Sequence, residues 1–91
     1  IFVSNNHSYG TIRTHQEKHF PRRVSGTHLT NPDFTAWARS FGVHAVTIKL
    51  GDDVAAKVAE ALAHPGASIV EVHSSLEAIS AFTTITKLRG A

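Results

Sequence analysis

The sequence predicts an α/β protein that contains part of a doubly wound parallel sheet with flanking helices. Three short apolar runs, at 1–4, 43–50 and 67–72, have the length and composition of β-strands. Segments with a helical pattern separate them, and a crossover of that kind brings successive strands back in parallel. Three strands make only a small sheet with exposed edges, so we expect its neighbouring half to be missing.

The first helical segment, 10–20, is rich in polar residues and ends before Pro21. We expect its inner face to be formed by Ile12, Gln16 and either His19 or Phe20. The second helix is predicted to begin at Asn31, with Pro32 in its first position, and to end at Gly42. An apolar stripe recurs on this helix at i, i+3, i+4 and i+7 and predicts a core contribution from Phe34, Trp37, Ala38 and Phe41.

The remaining elements follow from alternation and from turn chemistry. The strand at 43–50 alternates, which predicts one buried face formed by Val46, Ile48 and Leu50. The turn at 51–53 is predicted to cap a third helix, whose inner stripe is formed by Val54, Val58, Ala61 and Leu62. The pair Thr83-Thr84 predicts the cap of a short last helix that carries Ile85 and Leu88.

Composition narrows the classes of protein and partner. The chain has 91 residues, a net charge of +2 and no Cys or Met. This length suits one small domain, and the absence of Cys excludes disulfides and thiolate metal sites. We expect a cytoplasmic protein on that basis. No apolar run reaches the roughly 20 residues of a membrane span, and no block of like charge suggests nucleic acid. Because the chain opens inside an apolar strand without Met, we interpret it as the C-terminal piece of a longer protein.

A polar loop follows the first strand and leads into the first helix. It begins with the adjacent amides Asn5 and Asn6 and ends at Gly10. In open α/β sheets, ligands bind at the carboxyl ends of the strands, and the N–H groups at a helix start can receive an anion such as a phosphate. Amide oxygens also suit a hard cation such as Mg²⁺. The loop is therefore the first candidate binding site.

The motifs around this loop resemble those of a known family. Asn5-Asn6 is followed by Tyr9-Gly10 and by Ile12-Arg13, and later by Ser25-Gly26-Thr27 and Asn31-Pro32-Asp33-Phe34. Over almost the whole chain these residues resemble the C-terminal thiamine diphosphate-binding domain of acetolactate synthase-like enzymes. The Asn pair resembles the close of the family signature, which opens with Gly-Asp-Gly. No Gly-Asp-Gly occurs in the sequence, so we expect residues 1–91 to be the later part of that domain.

The resemblance implies specific roles for the loop residues. It implies thiamine diphosphate and Mg²⁺ as cofactors, with Mg²⁺ bound by the Asn6 side-chain oxygen and the Ser8 backbone carbonyl. It also implies that backbone groups of Tyr9 and Gly10 meet the diphosphate. Asn5 is expected to hold the loop together through side-chain to backbone hydrogen bonds. The family's activating glutamate comes from another domain, so no catalytic residue is assigned here.

The resemblance also implies an activity and partners for the whole protein. It implies a 2-oxo acid decarboxylase or carboligase, in which this chain binds the cofactor diphosphate and Mg²⁺. The expected partners are the remaining domains of the parent enzyme, identical subunits in a dimer or tetramer, and a 2-oxo acid substrate. Neither nucleic acid nor a membrane is expected as a partner. The isolated chain is expected to be inactive, because half of the site is missing.

Two alternatives remain open from the residues alone. A non-catalytic α/β binding or interaction domain would use the same scaffold. A histidine-dependent metal protein would use His15 and His19, whose i, i+4 spacing on a helix places two ligands together, although no third ligand is identifiable. His7 and His28 lie in loops that border the candidate site, but exposed positions are the simpler interpretation for both.

Overall fold

A computed structural model describes residues 1–90. Three strands and four helices occur in them: β1 (Phe2–Asn5), α1 (Gly10–His19), α2 (Phe34–Ser40), β2 (His44–Ile48), α3 (Val54–Ala63), β3 (Ser68–His73) and α4 (Ile85–Leu88). The chain divides into two compact units. The sheet unit contains Ile1–Asn5 and Asn31–His73, and the loop unit contains Asn6–Thr30 with the described part of Ser74–Ala91. No helix in residues 1–90 is long and apolar enough to cross a membrane.

The sheet unit contains one parallel sheet with the strand order β1-β3-β2. Phe2 pairs with Val70, and Val46 pairs with Val70 from the other side, so β3 is the central strand. The sequence prediction that the three apolar runs share one parallel sheet is confirmed. The strand bounds differ from the predicted ones by one or two residues.

Helices cover both faces of this sheet. On one face, the buried side chains of Val46, Ile48, Val70 and Ala61 form the core, with Val58 and Val72 packed against them. Ala61 belongs to α3, so α3 covers this face. On the other face, the Thr47 hydroxyl donates to the Thr35 hydroxyl over 3.4 Å. Because side chains alternate along a strand, Thr47 lies on the face opposite to Val46 and Ile48. Thr35 belongs to α2, so α2 covers this opposite face. The predicted doubly wound arrangement is therefore present in this part of the fold.

The helix starts are defined by side-chain caps. The Asp53 carboxylate accepts the N–H of Ala56 over 3.0 Å, which confirms the predicted cap of α3. The predicted start of α2 at Asn31 is wrong, because Asp33 is its cap and accepts the N–H of Ala36 over 3.0 Å. An aspartate oxygen is available there for the orphan donors of the first turn. Asn31 lies outside the helix and bonds elsewhere.

Half of the apolar stripe predicted for α2 is exposed, while Ala38 is buried and Phe34 is half-buried. Trp37 is 55% exposed and Phe41 is 71% exposed. Their rings instead pack edge to face, with centroids 5.7 Å apart. The prediction is wrong for both because α2 turns Thr35 and Ala38 inward, and the small side chains allow close approach. Three further apolar side chains predicted to be buried are also exposed: Leu50, Val54 and Leu62.

The loop unit is built around α1 and α4. The predicted inner face of α1 is wrong for Ile12, His19 and Phe20, which are exposed, whereas Gln16 is half-buried as predicted. Glu17, which the pattern did not indicate, is the buried residue of the helix. The predicted short last helix is confirmed as α4. Thr84 caps α4 by accepting the N–H of Lys87, and Ile85 is buried as its sequence pattern indicates.

Candidate functional site

The loop that follows β1 is closed by its own side chain. The Oδ1 atom of Asn6 accepts the N–H of Ser8 over 3.0 Å, which is an Asx turn. Between them, His7 has φ = 57°, in the left-handed region that non-glycine residues seldom occupy. Such conformations persist where the surrounding structure fixes them, and they cluster at functional sites. The loop therefore has a defined shape.

A second segment of the loop unit holds this loop from the side. The Thr27 carbonyl accepts two hydrogen bonds of 2.8 Å, one from the N–H of Tyr9 and one from the hydroxyl of Ser8. Leu29 donates its N–H to the His7 carbonyl over 2.8 Å, so the two segments pair in an antiparallel bridge. The predicted border between the Ser-Gly-Thr segment and the candidate site is thus present.

Gly10 stands where the loop meets α1. A Cβ atom at this position would lie 3.0 Å from Nδ2 of Asn6, closer than almost all real contacts of that kind. The Asn6 amide cannot simply turn away without breaking its bond to Ser8. Glycine at this position therefore allows the loop and the start of the helix to approach closely.

The amino end of α1 is uncapped in the described structure. Within residues 1–90 no side chain accepts its N–H groups, and its first turn contains no acidic residue. Arg13 donates the first N–H of the helical pattern, to the Tyr9 carbonyl over 2.9 Å. Within residues 1–90 no acceptor meets the N–H groups of Gly10, Thr11 and Ile12. These three residues, with Ser8 and Tyr9, line a cavity of about 290 Å³. Three free donors and a positive helix end suit an anion.

Oxygen atoms lie beside these donors. The Ser8 carbonyl accepts no hydrogen bond from the part of the chain that the structure describes. The Oδ1 atom of Asn6 accepts one bond and retains a second lone pair. Two neutral oxygens of this kind fit a hard cation, but they supply no carboxylate. In residues 1–90 no group of three or more His, Cys, Asp or Glu side chains is arranged to hold a metal ion.

Asn5 has a different environment from Asn6. It is only 3% exposed and belongs to the sheet unit. Its Nδ2 donates to Oε2 of Glu71 over 2.7 Å, and its Oδ1 accepts from Nδ2 of Asn31 over 2.8 Å. The side chain that closes the loop onto its own backbone is that of Asn6, which accepts the N–H of Ser8. The Asn5 side chain joins the side chains of Glu71 and Asn31, and its amide supplies a donor that the buried Glu71 carboxylate requires.

The four histidines considered from the sequence do not come together in one metal site within residues 1–90. His15 and His19 lie on the exposed side of α1 with parallel rings whose centroids are 6.4 Å apart. The structure describes no third ligand beside them. The backbone of His28 pairs with Ser8 in the antiparallel bridge, while its side chain is exposed.

Sequence reasoning missed one cluster in the loop unit. The carboxylate of Glu17 is 0% exposed and accepts from Arg89 Nη2 over 2.6 Å and from Nε over 2.9 Å. These bonds lower the pKa of the Glu17 carboxyl group from 4.5 to about 2, against the opposing effect of burial. One sequence signal was available, because Glu17 is the first acidic residue of the chain and lies among Arg13, Lys18 and Arg22.

Comparison with known proteins agrees with the motifs. Residues 1–72 match the family described as the thiamine pyrophosphate enzyme, C-terminal TPP binding domain. The chain is 37% identical over 75 residues to the acetolactate synthase large subunit of Parasynechococcus marenigrum, covering 80% of this chain and 12% of that protein. It is 32% identical over 72 residues to the mitochondrial acetolactate synthase of Schizosaccharomyces pombe, covering 79% and 11%. The mitochondrial catalytic subunit of Saccharomyces cerevisiae is 31% identical over 72 residues, covering 79% and 10%. The chain thus spans about a tenth of the length of these relatives.

Proposed function

Because the chain belongs to the thiamine pyrophosphate enzymes, through their C-terminal TPP binding domain, we propose that it binds the diphosphate of that cofactor together with Mg²⁺. The observation that carries the proposal is the uncapped amino end of α1, where three N–H groups lack an acceptor within residues 1–90. A diphosphate would satisfy these donors and meet the positive end of the helix.

Each loop residue has a distinct part in this proposal. The N–H of Gly10, with those of Thr11 and Ile12, would donate to diphosphate oxygens. Asn6 Oδ1 and the Ser8 carbonyl would bind Mg²⁺, whose remaining ligands would be diphosphate oxygens, water and a carboxylate from outside this chain. The N–H of Tyr9 already donates to Thr27. We therefore propose that Tyr9 borders the cofactor through its other atoms.

The reaction proposed for the whole protein is that of an acetolactate synthase-like enzyme, a decarboxylase or carboligase acting on a 2-oxo acid. When bound, the cofactor supplies the nucleophilic carbon and the electron sink for this chemistry. The residues of this chain would hold the diphosphate end through N–H donors and the ligands of Mg²⁺, and this would fix the position of the reactive ring. We assign no proton transfer to them.

The same proposal includes the context of the chain. It would form the C-terminal part of the cofactor-binding domain of a longer cytoplasmic protein, with the Gly-Asp-Gly aspartate upstream. Its partners would be the other domains and identical subunits. Alone, residues 1–91 would bind the cofactor weakly, because two neutral oxygens do not displace the tightly held waters of Mg²⁺.

The experiment compares the two adjacent asparagines in the full-length protein. Asn6→Ala removes the proposed metal ligand, and we expect Mg²⁺ and cofactor affinity to fall together by about 100-fold, the upper end for changes near a metal. Asn5→Ala is the matched control. It removes the amide donor that lies 2.7 Å from the buried Glu71 carboxylate, so it should lower thermal stability more than cofactor affinity. Calorimetric titration at fixed Mg²⁺ gives both affinities. Unchanged affinity in Asn6→Ala would remove the metal assignment.

A further inference from the structure

Glu17 is the buried residue of α1, a helix whose other residues are mostly polar and partly or fully exposed. A carboxylate that is 0% exposed is costly unless donors surround it. Arg89 supplies two such donors, and the N–H of Arg22 supplies a third over 3.1 Å. Arg13 lies one turn away on the same helix face, with Nη2 3.5 Å from Glu17. The carboxylate is therefore held in one position by several groups.

Arg89 comes from a segment that is itself closed by hydrogen bonds. The Glu77 carbonyl accepts the N–H of Ile85 over 3.0 Å, and the Glu77 carboxylate accepts the N–H of Thr86 over 2.8 Å. Ile85 is buried, and α4 packs against α1. Arg89 follows directly after α4, 72 positions from Glu17. The guanidinium is thus presented from a defined local structure.

The Glu17 carboxylate and the free N–H groups lie toward opposite ends of one helix. Glu17 is two residues from the last residue of α1, and Gly10 is the first. A ten-residue helix is a hydrogen-bonded rod of about 15 Å, so fixing one end fixes the direction of the other. At the amino end, the Thr14 hydroxyl adds a bond of 2.9 Å to the Gly10 carbonyl.

We propose that Glu17 and Arg89 are positioning residues for the cofactor diphosphate: their buried ion pair holds α1 in the orientation that presents the N–H groups of Gly10, Thr11 and Ile12. The inference rests on the proposed function and extends it. It implies that the segment after β3, which contains Arg89, contributes to cofactor binding. The contact between Arg89 and Glu17 is not part of the loop motifs.

Electrostatics and the positioning role predict opposite changes in diphosphate affinity when the Glu17 charge is removed. The cluster contains two guanidinium groups, of Arg13 and Arg89, and one carboxylate, and the Nε of Arg13 is buried without a hydrogen bond. Glu17→Gln removes a negative charge from the helix that meets an anion. Electrostatics would then strengthen diphosphate binding, whereas loss of positioning would weaken it. The sign of the change separates the two explanations.

The experiment titrates the full-length protein with thiamine diphosphate at fixed Mg²⁺ by calorimetry. Arg89→Ala and Glu17→Gln should each raise the Kd about tenfold, as expected for residues that orient direct contacts. Arg89→Lys keeps the charge but loses the two-point contact, so it should restore part of the affinity. Lys87→Ala is the matched control, because it removes an exposed positive charge from the same short helix, and its Kd should stay within about twofold of the unmodified protein.

The outcomes are distinct. A lower Tm with unchanged Kd in Arg89→Ala and Glu17→Gln would overturn the proposal, since the pair would then be structural only. A tighter Kd in Glu17→Gln would overturn it as well. If Arg89→Ala does not fold, the Kd values of Arg89→Lys and Glu17→Gln decide. Weak binding in Asn6→Ala with normal binding in Arg89→Ala would refute the positioning role and leave the proposed function intact. No cofactor binding by the unmodified protein would overturn both.

Discussion

The helices α1 and α3 have the same length but differ in their caps and in the residues they bury. α3 begins with a side-chain cap from Asp53 and packs Val58 and Ala61 into the apolar core. α1 begins without a side-chain cap, and the residue it buries is the carboxylate of Glu17. Both contain ten residues, so length does not explain the difference. In α3 a protein side chain, that of Asp53, accepts one first-turn N–H, that of Ala56. In α1 the amino end stays open while a charged pair fixes the other half.

Among the four helices of residues 1–90, α1 is the one without a side-chain cap. The three other helices have a side-chain cap, from Asp33, Asp53 and Thr84. Uncapped N–H groups need water or a ligand as their acceptor. The uncapped end of α1 is therefore the helix end that is available to a ligand. We interpret α3 as a helix of the scaffold and α1 as a helix that binds.

The largest expected effect comes from closing the open end. Tyr9 has backbone angles close to those of Asp53, so Tyr9→Asp should cap α1 as Asp53 caps α3. The new carboxylate would occupy the N–H groups and repel the diphosphate, and we expect cofactor affinity to fall about 100-fold. Thermal stability without cofactor should rise. Calorimetry and thermal unfolding measure the two changes.

Tyr9→Ser separates the cap from its charge. It should weaken cofactor binding less than Tyr9→Asp, because it caps the helix without repelling the anion. Equal cofactor affinity in Tyr9→Asp and the unmodified protein would mean that the amino end of α1 does not meet the diphosphate.

Acid should loosen α1 through Glu17. Its folded pKa of about 2 lies below the ordinary value of 4.5, so its contribution to stability is complete above about pH 4.5 and is lost as the pH falls toward 2. We expect the protection factors of the α1 amides, which correct for the pH dependence of intrinsic exchange, to fall over this range in the unmodified protein. In Glu17→Gln these protection factors should be lower at neutral pH and change less on acidification. The pKa values of Asp33, Asp52 and Glu77 are also lowered by hydrogen bonds, so only the difference between the two proteins reports on Glu17. Identical profiles would contradict the assigned role.

Local patterns predicted α3 better than α1. The cap at Asp53 and the inward Val58 and Ala61 follow from residues close together in sequence. The anchor of α1 does not, because Glu17 and Arg89 are 72 positions apart and no periodic pattern relates them. A polar helix offers no apolar stripe to orient it, so its buried face could be found only from the folded structure.

Adding one methyl group at Gly10 should lower cofactor affinity by a moderate amount. Gly10→Ala would place a Cβ against Nδ2 of Asn6 and displace that amide, and we expect cofactor affinity to fall about tenfold. Gly66→Ala is the matched control, because its Cβ would lie 3.4 Å from the nearest side-chain atom and its φ is not positive. Titration with cofactor at fixed Mg²⁺ compares the two. Equal loss of affinity in both would show that the Asn6 contact is not responsible.

The smallest expected effect is on the scaffold helix. Asp53→Ala removes the cap of α3 and should cost about 1 kcal/mol of stability, measured as local opening by amide exchange. Cofactor affinity should not change, since the proposed site does not use this end. A loss of cofactor affinity as large as that of Tyr9→Asp would erase the distinction between the two helices.

The candidate loop can be found from the sequence, but the hydrogen bonds that hold it cannot. The motif from Asn5 to Gly10 identifies the family, and the strand, loop and helix around it were predicted correctly. The roles of the adjacent asparagines needed coordinates, because only the structure shows Asn5 bonded to Glu71 and Asn6 to Ser8. The stripe of α2 predicted the wrong buried face because regular apolar spacing does not reveal which face meets the sheet.

The central claim is that the open amino end of α1 receives the cofactor diphosphate. Amide hydrogen exchange of the full-length protein, measured with and without thiamine diphosphate and Mg²⁺, tests it most directly. Exchange at Gly10, Thr11 and Ile12 should slow when the cofactor binds, while the first-turn amides of α3, at Ala55 and Ala56, should exchange at unchanged rates. Cofactor binding without protection at residues 10–12 would contradict the account.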